Sequence, residues 1–353
     1  MTLDLLRPQV FNGVVQKFTT SQTKVMLNSI TKTPWPYPTA EWDVLRGSMA
    51  IARYNVPGGE ANIVDRLGRS HQNVAFATLR EKKIFPTVLM RYLRTPGSVS
   101  EVNAAQLIVR ELRDLNERFD NRVELDIWQA LTGTLPISDA ELGSIGNVDY
   151  GFLPSHKPTT AHNWSTATPA QIVADVKAWK KLILRDGQVK PTDAWTSTDV
   201  LDYVFQAFAT RGDSGTNFVG AALLSDRMKD QYFAEGTLPG FMGLNWNINE
   251  NTYDPNGTAY AGNPITPSVN NGATPFLNYN SLIIGNFTDN RPLELFEGLI
   301  TDERAPVNYT GRFAKNWQDE DPSELQYLMA YSYLPVISRP EQFVSVLNVT
   351  LGS

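Results

Sequence analysis

From Ser98 to Gly133 the chain spells one long amphipathic helix, and an element of that length dictates how everything else must be arranged. Ser98 and Glu101 have capping-box spacing, in which the Ser oxygen accepts one orphan N–H and the Glu reaches back to another. Apolar residues then recur at Ile108, Leu112, Leu115, Phe119, Val123 and Ile127, steps of four and three that draw a single stripe. Gly133 supplies a stop. A helix over 101–132 is roughly 45 Å long at 1.5 Å per residue, well beyond three or four turns. Such a helix is a strut.

The chain has 353 residues, enough for two structural units at roughly 100 to 200 residues each. It has no Cys, which excludes disulfides, thiolate zinc sites and cysteine nucleophiles and leaves burial and contacts between chains to hold it. Met1–Pro8 shows no basic region followed by an apolar run, and no stretch reaches the roughly 18 apolar residues of a membrane span. Cytoplasmic synthesis without a membrane partner is expected. A formal charge of −6 and a pI near 5.2 do not suit a dedicated nucleic-acid binder, whose affinity comes from Lys and Arg displacing counterions.

Pro34-Trp35-Pro36-Tyr37-Pro38 reads as an extended arm, because each ring fixes φ and pushes the preceding residue out of the helical region. Met49 to Val56 reads as a strand that breaks at Pro57-Gly58-Gly59, and a polar stretch runs to Lys83 before the apolar run Ile84 to Leu93. That excursion is too long for a connector in a compact domain, so it is either disordered or functional. A second helix is expected from Pro169 to Asp186-Gly187, capped by Thr168 with Gln171, and a third from near Asp199. Lys177, Lys180, Lys181 and Arg185 crowd the C-terminal half of the second, where cations suit the helix dipole. Asn245 to Asn280 is rich in Asn, Gly and Pro with a turn signal at Asp254-Pro255-Asn256-Gly257, and Leu282-Ile283-Ile284 reads as a buried strand. The tail is two β segments about a Pro-marked acidic corner, Asp319-Glu320-Asp321-Pro322, with nothing in it that does chemistry.

Candidates for chemistry are weak. His71, His156 and His162 lack metal-ligand spacing and read as surface or turn residues. Asp319, Glu320, Asp321 and Glu324 lack the alternation of a calcium loop and read as a solvated turn before a strand. Gly212-Asp213-Ser214-Gly215 matches neither a nucleophile elbow nor a phosphate loop and reads as a turn ending a helix. No catalytic, cofactor or metal residue is expected. Arg66, Arg69, Arg80, Lys82 and Lys83 make the excursion basic, which suits either solubility or contact with acidic neighbours.

Read in order, several stretches resemble the major capsid proteins of tailed phages, specifically the phage lambda major head protein family. They are Ala52-Arg53-Tyr54-Asn55-Val56-Pro57-Gly58-Gly59-Glu60, Tyr253-Asp254-Pro255-Asn256-Gly257, Phe276 through Asn286, Ala314-Lys315-Asn316-Trp317 and Glu341-Gln342-Phe343-Val344-Ser345-Val346. The resemblance spans about 45 to 353 and implies an α+β, Hong Kong 97-type capsid fold. On that pattern 1–40 is the N-terminal arm, and 41–56, 89–189 and 305–340 form the peripheral domain, with a spine helix about 101–132. The extended loop is 57–88, and 190–304 with 341–353 forms the axial domain. A relative outside this branch crosslinks its subunits through a Lys and an Asn with a nearby Glu; that trio is not placed in this sequence, and no crosslink is inferred.

The resemblance implies a structural protein and no enzyme: hexamers and pentamers tiling an icosahedral head around double-stranded DNA held without sequence readout. Trp35, Tyr37, Arg66, Arg69, Arg80, Lys82 and Lys83 then become intersubunit contacts. Implied partners are further copies of the chain, a scaffolding protein and a portal protein, with a decoration protein left open. The implied location is the virion, assembled in the host cytoplasm. An encapsulin-like nanocompartment shell is the alternative, and a soluble hydrolase using a carboxylate pair is a third reading from another class.

Overall fold

A computed structural model describes residues 24–45, 69–86, 98–139, 143–210, 230, 237–253, 274–287, 292–320 and 323–351. The helices are α1 (Val25–Ser29), α2 (Ser98–Leu131), α3 (Pro169–Asp186) and α4 (Thr198–Thr210). Strands in the first part are β1 (Thr31–Pro34), β2 (Thr39–Leu45), β3 (Arg69–Ala75), β4 (Ala77–Pro86), β5 (Thr134–Asp139), β6 (Gly143–Asp149) and β7 (Asp193–Thr196). They continue as β8 (Thr237–Phe241), β9 (Leu244–Ile248), β10 (Thr252–Tyr253), β11 (Thr274–Pro275), β12 (Leu282–Gly285), β13 (Leu293–Glu297), β14 (Phe313–Glu320), β15 (Ser323–Ile337) and β16 (Phe343–Val346). Short 3₁₀ turns cover Pro154–His156 and Pro340–Gln342.

The chain divides into two compact units. The first comprises Met1–Glu41, Asn73–Ile127 and Glu294–Val336. Its sheet runs β1-β13-β15-β14, with β4 also paired to β15. β15, 15 residues long, is the axis of that sheet. β14 turns back into it at the acidic corner, from Phe313↔Ala330 to Glu320↔Ser323, as the tail sequence leads one to expect. The expected apolar stripe of α2 is buried: Ile108, Leu112, Leu115, Phe119, Val123 and Ile127 are each 3% exposed or less. At about 1.5–3 kcal/mol per buried side chain, this stripe holds the helix far more firmly than its local propensity could. α2 has 34 residues, so it is about 51 Å long at 1.5 Å per residue. It ends where Gly133 takes φ +96°, a left-handed conformation that a side chain would strain.

The second unit comprises Trp42–Gln72, Trp128–Leu293 and Ile337–Ser353. Its sheet has the order β16-β12-β7-β9-β8, with β7 and β9 parallel and the other pairs antiparallel. All four residues of β12 are buried, because a central strand has no solvent face to alternate toward. α3 begins with the expected capping box: the Thr168 N–H donates to the Gln171 side-chain oxygen at 2.8 Å. Ile172, Val176, Trp179 and Ile183 of α3 and Val200, Leu201, Val204 and Phe205 of α4 pack with Trp164, Trp246, Ile284 and Val344 into one core.

Two sequence expectations need correction. The described part of the polar stretch before Ile84, from Arg69 on, is itself strand: β3 and β4 occupy it, and β4 begins at Ala77. Its polarity reflects one outward face, while its backbone hydrogen-bonds β15 from Ala77↔Tyr333 to Pro86↔Glu324. The Asn-rich stretch likewise holds β9, where Leu244 and Trp246 point inward between polar neighbours. The strand expected at Met49–Val56, the turn at 254–257 and the 212–215 stretch lie outside the described residues.

Candidate functional site

The candidate site is built from the surface that the strands and helices present. Strand pleat decides which cations of the basic excursion belong to it. Along β4, Thr78, Arg80, Lys82 and Ile84 are exposed while Leu79, Glu81, Lys83 and Phe85 turn inward. Inward, Lys83 Nζ lies 2.7 Å from Glu111 Oε2 and 2.5 Å from Asp114 Oδ2 on α2, and Arg118 Nε lies 2.7 Å from Glu81. The five cations that sequence groups together therefore split. Lys83 ties the strand to α2, Arg80 and Lys82 face outward beside exposed Ile84, and Arg69 sits 3.7 Å from Asp43. Arg66 lies outside the described residues.

The aromatic pair of the arm splits in the same way. Trp35 stacks on Phe296 at 4.8 Å and 10°, and its indole N–H donates to the Thr39 carbonyl at 2.8 Å. Tyr37 meets Trp35 edge-on at 5.7 Å and is 61% exposed. Trp35 is thus committed to its own chain, and Tyr37 is presented.

What sequence reasoning misses is the carboxylate ladder on α2. Glu124 accepts the backbone N–H groups of Met26 at 3.1 Å and Leu27 at 2.8 Å, capping the first turn of α1 with a charge that suits the helix dipole. Burial lowers the Lys24 pKa, against the pull of Glu124, Asp120 and Glu117. Arg312 donates to Asn116 and Asp120, and its guanidinium lies 5.1 Å from the centre of the Tyr331 ring. Tyr331 donates to Glu297 at 2.8 Å, and burial, reinforced by Glu297, raises its phenol well above the ordinary range. Two residues beyond Glu124, burial pushes Asp126 up to about 6, although Arg122 at 2.9 Å and the Tyr333 hydroxyl at 2.6 Å favour its charge. Arg312 and the Tyr333 hydroxyl come from far along the chain, whereas Arg122 lies on α2 itself, so only regular charge spacing on α2 could have hinted at the set. Chemically this is a fastening: its carboxylates are held by donors and aimed at no open cleft.

The histidines are corrected in part. His71 is exposed beside Asp43, but His156 is fully buried, with Nδ1 2.7 Å from the Phe343 carbonyl oxygen and Nε2 3.1 Å from Asp186. It fastens the 3₁₀ turn to β16 and to the end of α3, a role that a local polar sequence conceals. Hydrogen bonds from Arg185 hold Asp186 down to about 2, with His156 assisting. His162, partly exposed, lies 3.0 Å from Asp175. In the acidic corner, Asp319 and Glu324 face each other across the hairpin. Among the described residues no cluster of three or more His, Asp or Glu could hold a metal.

The structure is similar to the crystal structure of a prophage capsid protein from E.coli CFT073, at 13% identity and TM-score 0.64 over 97% of this chain and 99% of that one. It is also similar to a phage-related protein from Bordetella bronchiseptica RB50, at 11% identity and TM-score 0.51 over 97% of each chain. The capsid of Myoviridae phage XM1 matches at 10% identity and TM-score 0.50 over 94% of each chain. At such identities the likeness establishes the fold, and it is the α+β capsid fold of the Hong Kong 97 type. No curated protein matches the sequence. The family model described as phage major capsid protein E matches residues 20–348.

Proposed function

Because this chain belongs to the phage major capsid protein E family, and is thus a self-associating structural component of a tailed-phage virion, we propose how it assembles. Copies close into hexamers and pentamers, and these tile an icosahedral head around double-stranded DNA. The family match over residues 20–348 carries this reading. α2 and β15 belong to the peripheral domain, the sheet β16-β12-β7-β9-β8 with α4 to the axial domain, and the β3–β4 region to the extended loop that overlaps a neighbour.

Charge supports the DNA part of the reading. A chain of net charge −6 does not grip phosphates, so DNA can slide past it during filling. A separate scaffolding protein and a portal protein are the proposed partners, with a decoration protein left open and assembly in the host cytoplasm. The test is electron microscopy and sedimentation of the expressed chain, alone and with its scaffolding protein. Closed shells with fivefold and sixfold clusters are expected; a monomer under every condition overturns the proposal.

A further inference from the structure

Two exposed patches in the second unit, one on α3 and one at the start of α4, are complementary in charge. The first is on α3. Its C-terminal half carries an open groove lined by Ala178, Lys181, Leu182, Leu184 and Arg185, with Leu184 57% exposed. Lys177 and Lys181 are one helical turn apart on that outer face, and neither has an ion-pair partner among the described residues. An apolar floor under unpaired cations is costly to leave open to water and suits a partner with an apolar knob and carboxylates.

The second patch has that composition. Ser197 donates to the Tyr279 carbonyl just before α4 begins, so Tyr279, 37% exposed, sits beside the first turn of α4. That turn presents Asp199 and Asp202, three residues apart and exposed on one face, again without ion-pair partners among the described residues. The strand register places the two patches. α3 leads into β7 at Asp193, which pairs with Gly285 of β12, whereas α4 leaves β7 beyond Thr196, which pairs with Leu282. The Tyr279 corner and the start of α4 therefore lie toward the end where β7 finishes, and the tip of α3 at Arg185 lies toward the end where β7 starts.

Within one copy neither Lys177 nor Lys181 is ion-paired with Asp199 or Asp202 among the described residues, and between copies the two patches can meet head to tail. A heterologous contact of this kind generates rings when its rotation closes. We propose that, in a second copy of this chain, the Tyr279 corner enters the α3 groove, with Asp199 and Asp202 against Lys177 and Lys181, as the lateral contact within each ring. The inference rests on the shell reading above and names the residues that close its rings.

Charge reversal tests it. Lys177→Glu/Lys181→Glu and Asp199→Lys/Asp202→Lys each put like charges across the contact, and each alone is expected to yield at least tenfold fewer assembled particles by sedimentation velocity. Both change exposed positions, so circular dichroism and thermal midpoints of the subunits should stay close to those of the parent. Co-expressing the two variants restores opposite charges at every junction of an alternating ring, so hexameric assemblies should return. Leu184→Asp is a second probe, expected to lose assembly with no change in fold. If the reversed variants assemble as well as the parent, or if co-expression restores nothing, the contact is wrong. If the parent itself never assembles, the shell reading fails instead.

Discussion

Tyr333 donates its hydroxyl hydrogen to Asp126 across 2.6 Å, with both side chains closed to solvent. Burial raises Asp126 from an ordinary value of 3.8 to about 6 despite that donor and Arg122. The folded state therefore binds this proton more tightly than the unfolded chain does. Its contribution is fully present below about pH 4 and is lost as pH rises through 6, and the displacement is worth roughly 3 kcal/mol. Denaturant midpoints of unassembled Asp126→Asn and parent subunits should diverge between pH 4 and 7. The variant should lack the parent's decline over that interval, and parallel curves would refute the linkage.

Arg312 and Asp120 form a pair in which the carboxylate side chain is 1% exposed. Removing the cation alone, Arg312→Met, leaves a buried charge and should cost about 3–5 kcal/mol in chemical unfolding. Adding Asp120→Leu should recover most of that loss, since apolar replacement of a buried pair is often close to neutral. A double mutant no better than the single would show that Arg312 acts through Tyr331 or Asn116.

The split among the presumed contact residues predicts a split in phenotype. Trp35→Ala and Lys83→Ala remove contacts within the chain and should lower the thermal midpoint of the isolated subunit. Tyr37→Ala and Arg80→Glu/Lys82→Glu change outward positions and should leave that midpoint within about 2 °C, the shift expected for a fraction of a kcal/mol, while reducing particle yield. Thermal scans and particle counts on the same preparations decide it.

Asp186 provides a second, opposite pH signature. Its pKa is held down to about 2 by Arg185 and His156, so its contribution is present above the unfolded value near 4 and fades as pH falls toward 2. Asp186→Asn should flatten this acid limb in pH titrations of stability. His156→Ala should destabilise at every pH, because it empties a buried site and orphans the Phe343 carbonyl, a loss of about 2–4 kcal/mol.

What the sequence discloses follows from how locally each feature is encoded. The apolar stripe of α2, the capping box of α3 and the buried β12 rest on spacings within a few residues and stand as read, although α2 begins on Ser98, the residue read as its cap. β4 was hidden because a strand with one polar face looks like a loop until its partner β15 is known. The α2 fastening was hidden because Asp120 and Arg312 are 192 residues apart. Among the surface candidates, residue type alone could not separate Lys83 from Lys82, since adjacent strand residues point to opposite faces.

Those separations also set a schedule for the newborn chain. Asp126 leaves the ribosome 207 residues before Tyr333, which at about 5–20 residues per second is a wait of roughly 10 to 40 s. Throughout that interval Asp126 lacks its hydroxyl donor, Asp120 waits almost as long for Arg312, and β15 is not yet made. A subunit becomes a usable tile only when nearly the whole message has been read, so incomplete chains are kept out of the lattice without any separate inspection.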